Sequence, residues 1–305
     1  MEVKQDKAWQ QAIGCLPPLR AAQLAALDGQ GEVEELRLRA GYPPSVRIAG
    51  EERALDLAPV TAQELRETLS RAARYSVHSY AESLRHGFVT LAGGHRLGVC
   101  GTAAEENGQV IGVRGLSSVN LRIARQITGV AAQIAPWIGN GPPQSVLLLS
   151  PPGLGKTTLL REWVRLVSDK GYSVAVADER SEIAALSDGV PQFAVGRCTD
   201  VLESCSKKQA ALMLLKTMSP ALLAFDEITA PEDVEAVSLC AHCGTAVIAS
   251  AHAADMDDLR RRPVYRALLA LGVFGRAVVI ERKGKERCYR MERLEERTCS
   301  SSSVG

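Results

Sequence analysis

The sequence predicts an α/β chain whose second part is a parallel sheet flanked by helices, preceded by a smaller α+β region. Three observations carry this. From Ser145 onward, short apolar runs alternate with helix-length stretches, the signature of βαβ units. Four of those runs end in polar residues at the same point of the strand. Before them, the run GVAAQIAPWIGNGPP forms a short helix and a Gly/Pro connector, and the hairpin at Gly93–Gly94 and the turn at Asn107–Gly108 lie on its far side. The expected division is residues 1–126, residues 127–293 and a low-complexity tail, residues 294–305, that reads as disordered.

In chain order, AWQQAIGCLPPLRAAQLAAL reads as two amphipathic helices broken at Pro17–Pro18. VEELRLR sets Leu36 and Leu38 against Arg37 and Arg39, a strand period, and SVRIAG returns as a second strand after AGYPP. Thr61 and Glu64 make a capping box for the helix AQELRETLSRAARY, and another helix follows to about His86. FVTLAGGHRLGVCG reads as a hairpin across Gly93–Gly94, the chain turns again at Asn107–Gly108, and SVNLRIAR is a strand.

In the second part, SVLLL is a strand and Lys156 to Asp169 a helix. YSVAVA, ALLAFDE and TAVIAS are further strands, with the helix KKQAALMLLKTMS before the second of them. Thr229 and Glu232 form a second capping box, opening a helix that Gly244 ends. RAVVIER and RCYRME make a late hairpin.

Composition narrows the function. The chain has 305 residues, a formal net charge of +1 and 4% aromatic residues. A nucleic-acid binder usually shows a basic footprint and stacking rings, so these values weigh against one. MEVKQDKAWQQ carries no apolar run, so no secretory signal is expected, and no stretch approaches the roughly 20 apolar residues of a membrane span. The eight cysteines read as buried free thiols.

The chemistry gathers at four strand ends. SPPGLGKTT, Ser150–Thr158, is a phosphate-binding loop with Ser150 where the usual pattern has glycine. Ser150, Pro151, Pro152, Gly153, Leu154, Gly155, Lys156, Thr157 and Thr158 would cradle the phosphates of ATP at a helix N-terminus. Lys156 can reach the β- and γ-phosphates and the Thr157 hydroxyl can ligate Mg²⁺. Ser150 tightens the loop entry without removing a charge or a ligand. Asp226 and Glu227 end the strand ALLAFDE, one acid placed to hold Mg²⁺ and the other to polarise the attacking water. VADERSEIA ends in Asp178, Glu179 and Arg180, with Glu182 behind. VIASAH ends in Ser250 and His252, and His252 is placed to sense the γ-phosphate. In an open parallel sheet such ends converge on one ligand.

With these residues in view, the chain resembles the secretion and type IV pilus ATPase superfamily, and within it a branch tied to endospore formation. SPPGLGKTTLLRE, DERSEIAA, GRCTDVLESC, MSPALLAFDEI and ASAH carry the resemblance, together with ELRLRAGYPPSVRI and GFVTLAGGHRLGVCG. It spans nearly everything but the tail. It implies a RecA-like P-loop ATPase domain behind the α+β domain and assembly into a ring, a hexamer. It implies a cytoplasmic, mother-cell-side protein attached peripherally to a membrane channel or secretion-like apparatus. Walker A maps to Ser150–Thr157, the Asp box to Asp178–Glu182, Walker B to Asp226–Glu227 and the His box to His252. Many relatives have glycine where Asp226 stands, so the catalytic base is Glu227 by P-loop logic, with Glu182 or Asp178 as alternatives. The histidine that many relatives carry before the His-box strand is replaced by Gly244–Thr245. Ring ATPases complete their sites with an arginine from a neighbour, and Arg96, Arg114, Arg122 and Arg125 are the candidates.

Other features have plainer readings. Cys240 and Cys243 form a CxxC without a matching second pair, and read as thiols packed at a helix end. The run Arg260–Pro263 reads as a solvated helix face. Two other function classes stay open beside the traffic ATPase: a RecA-like ATPase driven by nucleic acid, and a scaffold that binds ATP with little turnover.

Overall fold

Leu36 and Leu38 face inward and are buried, and the strand they define, β1 (Val33–Arg39), lies in the middle of an antiparallel sheet. A computed structural model describes residues 6–73, 87–106, 109–125, 130–283 and 286–294. The chain divides into two compact units, residues 1–126 with 185–192 and residues 127–184 with 193–305. The helix expected up to His86, the turn at Asn107–Gly108 and the tail beyond Leu294 lie outside the described residues.

The first unit is built on β2 (Ser45–Ile48), β3 (Glu51–Ala54), β4 (Phe88–Thr90), β5 (Arg96–Glu106) and β6 (Gln109–Arg122) besides β1, in the order β3-β2-β1-β6-β5-β4. All five pairings are antiparallel. The helices Lys7–Ile13 and Pro18–Ala25 are broken at the prolines as expected, and Trp9 ties them by donating from Nε1 to the Leu24 carbonyl at 3.0 Å. The capping box opens the helix Ala62–Ala72: Glu64 N–H donates to the Thr61 hydroxyl and Thr61 N–H to the Glu64 carboxylate. Leu36, Leu38, Leu65, Leu97 and Leu121 are core residues of this unit.

The second unit holds a seven-stranded sheet of β7 (Val146–Leu149), β8 (Val174–Asp178), β11 (Thr199–Glu203), β12 (Leu222–Glu227), β13 (Ala246–Ala251), β14 (Arg276–Lys283) and β15 (Glu286–Arg293). Its order is β11-β8-β12-β13-β7-β14-β15, and only the final pairing, β14 with β15, is antiparallel. The central strands β7, β8 and β12 are apolar and almost wholly buried, as strands covered on both faces must be. The chain leaves β7 for β8 on one side and returns to β14 on the other, so a topological switch point lies at the end of β7. The strand β11 is an addition to the sequence expectation. No helix among the described residues is long and apolar enough to cross a membrane.

The helix Pro231–His242 is opened by Asp233, whose carboxylate accepts from the N–H groups of Thr229 and Ala230, and not by a Thr229–Glu232 box. Pro231 takes the first helical position, so the residue three beyond the cap is Asp233. Residues 185–192, with the two short strands β9 (Leu186–Ser187) and β10 (Val190–Pro191), belong to the first unit although the sequence places them inside the second. There, Gln192 accepts from the Gly93 N–H through its side-chain oxygen.

Candidate nucleotide site

Glycine is needed at two places in the loop after β7 and not at a third. Gly153 and Gly155 have φ of 78° and 92°, in the left-handed region. Ser150 has no such φ, so a side chain is tolerated there. It is fully buried, and its hydroxyl donates to the Pro151 carbonyl at 2.8 Å. Pro151, Pro152 and Gly153 are exposed, and Leu154 is half-buried. Gly155 caps the helix Lys156–Asp169, whose first turn offers unpaired N–H groups and carries Thr157 and Thr158, both half-buried.

Lys156 folds back over this loop. Its Nζ lies 3.0 Å from the Ser150 carbonyl oxygen, 3.3 Å from that of Pro151 and 2.6 Å from His252 Nδ1. His252 Nε2 lies 2.8 Å from Glu227 Oε2, and Arg180 is 3.8 Å from the same oxygen. One assignment of protons satisfies the row: Lys156 donates to Nδ1, and Nε2–H donates to Glu227. Residues from the ends of β7, β8, β12 and β13 thus form a continuous polar chain. Burial pushes Lys156 down to about 8, against the opposing pull of the Glu227 and Asp226 charges.

The acids separate into distinct environments. Asp226 is 5% exposed, and its carboxyl accepts no hydrogen bond among the described residues. Burial, and then the nearby carboxylates Glu182 and Asp178, push it up to about 7, against Lys207 and Arg180. Asp178 is fully buried and accepts from the N–H groups of Glu182 at 2.8 Å, Ile183 at 3.1 Å and Ala184 at 2.8 Å. Charged acceptors make each such bond worth about 1.5–3 kcal/mol, so Asp178 fixes the loop that follows β8. Glu182, on that loop, lies close enough to Asp226 for their charges to interact.

Arg161 and Lys207 stand outside the sequence expectation. Arg161 donates to the Glu182 and Ile183 carbonyls at 2.7 and 2.6 Å and lies over the Phe193 ring at 3.9 Å. Lys207 is buried, paired with Glu179 and 3.6 Å from Asp233. Both hold the acidic loop from behind. Only burial marks them out, and a helix arginine or lysine shows no burial in the sequence.

The donors fit a divalent cation carried in with phosphate. The Thr157 hydroxyl is a neutral oxygen on the first helical turn, and Asp226 is a carboxyl whose ionisation needs a positive neighbour. The described residues contain no cluster of three or more His, Cys, Asp or Glu side chains able to hold a metal. Phosphate and water oxygens would therefore complete the coordination of Mg²⁺.

The four candidate arginines of the first unit differ in freedom. Arg125 donates to the Val33 and Gln30 carbonyls, which tethers it. Arg96 lies over the Phe88 ring at 4.0 Å, Arg122 is 3.5 Å from Glu35, and Arg114 is exposed. Cys240 is buried and Cys243 exposed at the end of their helix. In the basic run, Arg260 pairs with Asp257 and Arg262 with Asp258.

Comparison with known proteins adds the following. The family model described as "Sporulation stage III, protein AA" matches residues 19–293. The chain is 38% identical over 256 residues to stage III sporulation protein AA of Bacillus subtilis (strain 168), covering 82% of this chain and 83% of that one. Among solved structures it is similar to the pilus retraction motor PilT with bound ADP, with a TM-score of 0.60, 17% identity and coverage of 88% and 80%. It is also similar to the Legionella pneumophila ATPase DotB, with a TM-score of 0.55, 14% identity and coverage of 85% and 76%. The fold is thus that of the P-loop secretion ATPases.

Proposed function

The chain belongs to the sporulation stage III protein AA family, and on that premise we propose that it is a Mg²⁺-dependent ATPase of the traffic type. The observation that carries this is the convergence of the Ser150–Thr158 loop, Asp226, Glu227 and His252 at the ends of adjacent strands of one sheet. The loop N–H groups and Lys156 bind the phosphates. Thr157 and Asp226 would hold Mg²⁺, whose positive charge would offset the negative charge of the phosphate oxygens.

Arrival of the phosphates draws Lys156 away from the Ser150 carbonyl and from His252. Glu227, oriented by His252 through the 2.8 Å contact, then accepts a proton from water. The water oxygen bonds to the γ-phosphorus as the bond to the bridging oxygen breaks, giving ADP and phosphate. We prefer Glu227 to Asp178 as the base because the Asp178 carboxylate already accepts from three backbone N–H groups. Glu182 is the alternative.

On the family resemblance, the active form is a hexameric ring on the cytoplasmic, mother-cell side, attached to a membrane channel or secretion-like complex. An arginine from a neighbouring subunit would complete each site, with Arg114 and Arg122 the most exposed candidates.

The test is phosphate release from ATP with Mg²⁺ by the native chain, Lys156→Ala and Glu227→Gln. The native chain should turn over. Lys156→Ala should lose nucleotide, and Glu227→Gln should bind it while losing at least about 100-fold in rate. Nucleotide binding without turnover by the native chain would favour the scaffold reading, and full activity in Lys156→Ala would overturn the site.

A further inference from the structure

Arg287 lies outside every motif of the sequence, yet its guanidinium rests against the phosphate loop. A methyl group at Gly155 would come within 2.9 Å of Arg287 Nη1 and 3.3 Å of its Cζ. Two features of the sheet place it there. β7 ends at Leu149, which pairs with Val279, and β14 continues past that level to Lys283. The β14–β15 hairpin therefore overhangs the loop. Arg287 stands near the start of β15, directly across from Arg282.

Its surroundings are those of an anion site. Arg287 is half-buried, and its guanidinium makes neither hydrogen bond nor ion pair among the described residues.

The sheet order says which part of a nucleotide this is. β13 and β12 lie on one side of β7 and bring His252, Asp226 and Glu227. β14 and β15 lie on the other side and bring Arg287. A nucleotide seated on the loop with its terminal phosphate toward the acids presents its remaining phosphates toward the hairpin.

We propose that Arg287 binds the non-transferred phosphates in cis, gripping the nucleoside-diphosphate portion common to ATP and ADP. This rests on the nucleotide reading of the loop. It makes Arg287 a binding residue, distinct from a neighbour's arginine that would meet the transferred phosphate.

The test measures the Kd of ADP and of a non-hydrolysable ATP analogue, together with kcat and KM for ATP, in four forms of the full chain. These are the native protein, Arg287→Ala, Arg287→Lys and Lys156→Ala. Arg287→Ala should weaken both nucleotides alike, by about tenfold, with kcat at saturating ATP within about twofold of native. Arg287→Lys should recover part of the loss, and the nucleotide-free melting temperatures of the two Arg287 variants should match the native value. Native affinity in Arg287→Ala with binding lost in Lys156→Ala would overturn the assignment and leave the loop reading intact. A fall in kcat at unchanged Kd would overturn it in favour of a role in the transition state. Native affinity in Lys156→Ala, or no binding by the native chain, would overturn both readings.

Discussion

Lys156 is a cation held in a place that penalises its charge. Burial lowers it to about 8 from an ordinary value of 10.5. A base with a lowered value is neutral above it, and phosphate binding needs the charged form. Binding above pH 8 must therefore take up a proton, and affinity should fall as pH rises, approaching tenfold per unit. ADP titrations at pH 7, 8 and 9 check this, and equal affinity at pH 7 and 9 would refute it. Asp226 has the converse problem. Its value rises from 3.8 to about 7, so the folded chain prefers it protonated and loses stability as pH climbs from about 4 to 7. Asp226→Asn should raise the melting temperature of the metal-free, nucleotide-free chain, by at least about 3 °C at pH 8 and by less at pH 5. The same substitution should remove stabilisation by Mg²⁺ with nucleotide. Thermal scans at both pH values decide it. Lys156, Asp226, Glu227 and His252 were all legible in the sequence, because strand ends and motif spacing place them. Arg161, Lys207 and Arg287 were not, because their significance lies in burial and in a neighbour far away in the chain.

Among the elements, legibility followed how local the determining interactions are. The helix Lys156–Asp169 and the box at Thr61 and Glu64 are set by residues within a few positions of one another, and they formed where expected. The cap at residue 230 moved because Pro231 fixes the first turn. The strand β11 follows the GRC segment and is made by pairing with β8, which no local pattern announces. Gly196 in that segment is tightly enclosed. Its φ is 91°, and a methyl group there would lie 2.4 Å from Ser168 Cβ and 3.0 Å from the Arg165 carbonyl oxygen. Ser168 in turn accepts from the Cys198 N–H at 2.7 Å. Gly196→Ala should destabilise the chain by about 3 kcal/mol or more, combining backbone strain with a steric clash. Urea unfolding would show it, and a midpoint within error of native would count against so close an approach.

At the scale of the whole molecule, the sequence suggests two consecutive blocks, whereas the chain passes between its units at 126–127, 184–185 and 192–193. Residues 1–126 made alone would lack the hairpin Leu186–Pro191 and should be less stable than the same unit in the full chain. Co-expression with residues 127–305 should restore the missing piece and yield a co-purifying pair, which a pull-down measures. The interleaving also limits how this protein can be recombined. A hybrid spliced at the connector would carry one parent's first unit except for eight residues inherited from the other. A working hybrid would therefore have to move that distant hairpin together with the first unit, which ties the two halves of the sequence into a single exchangeable piece.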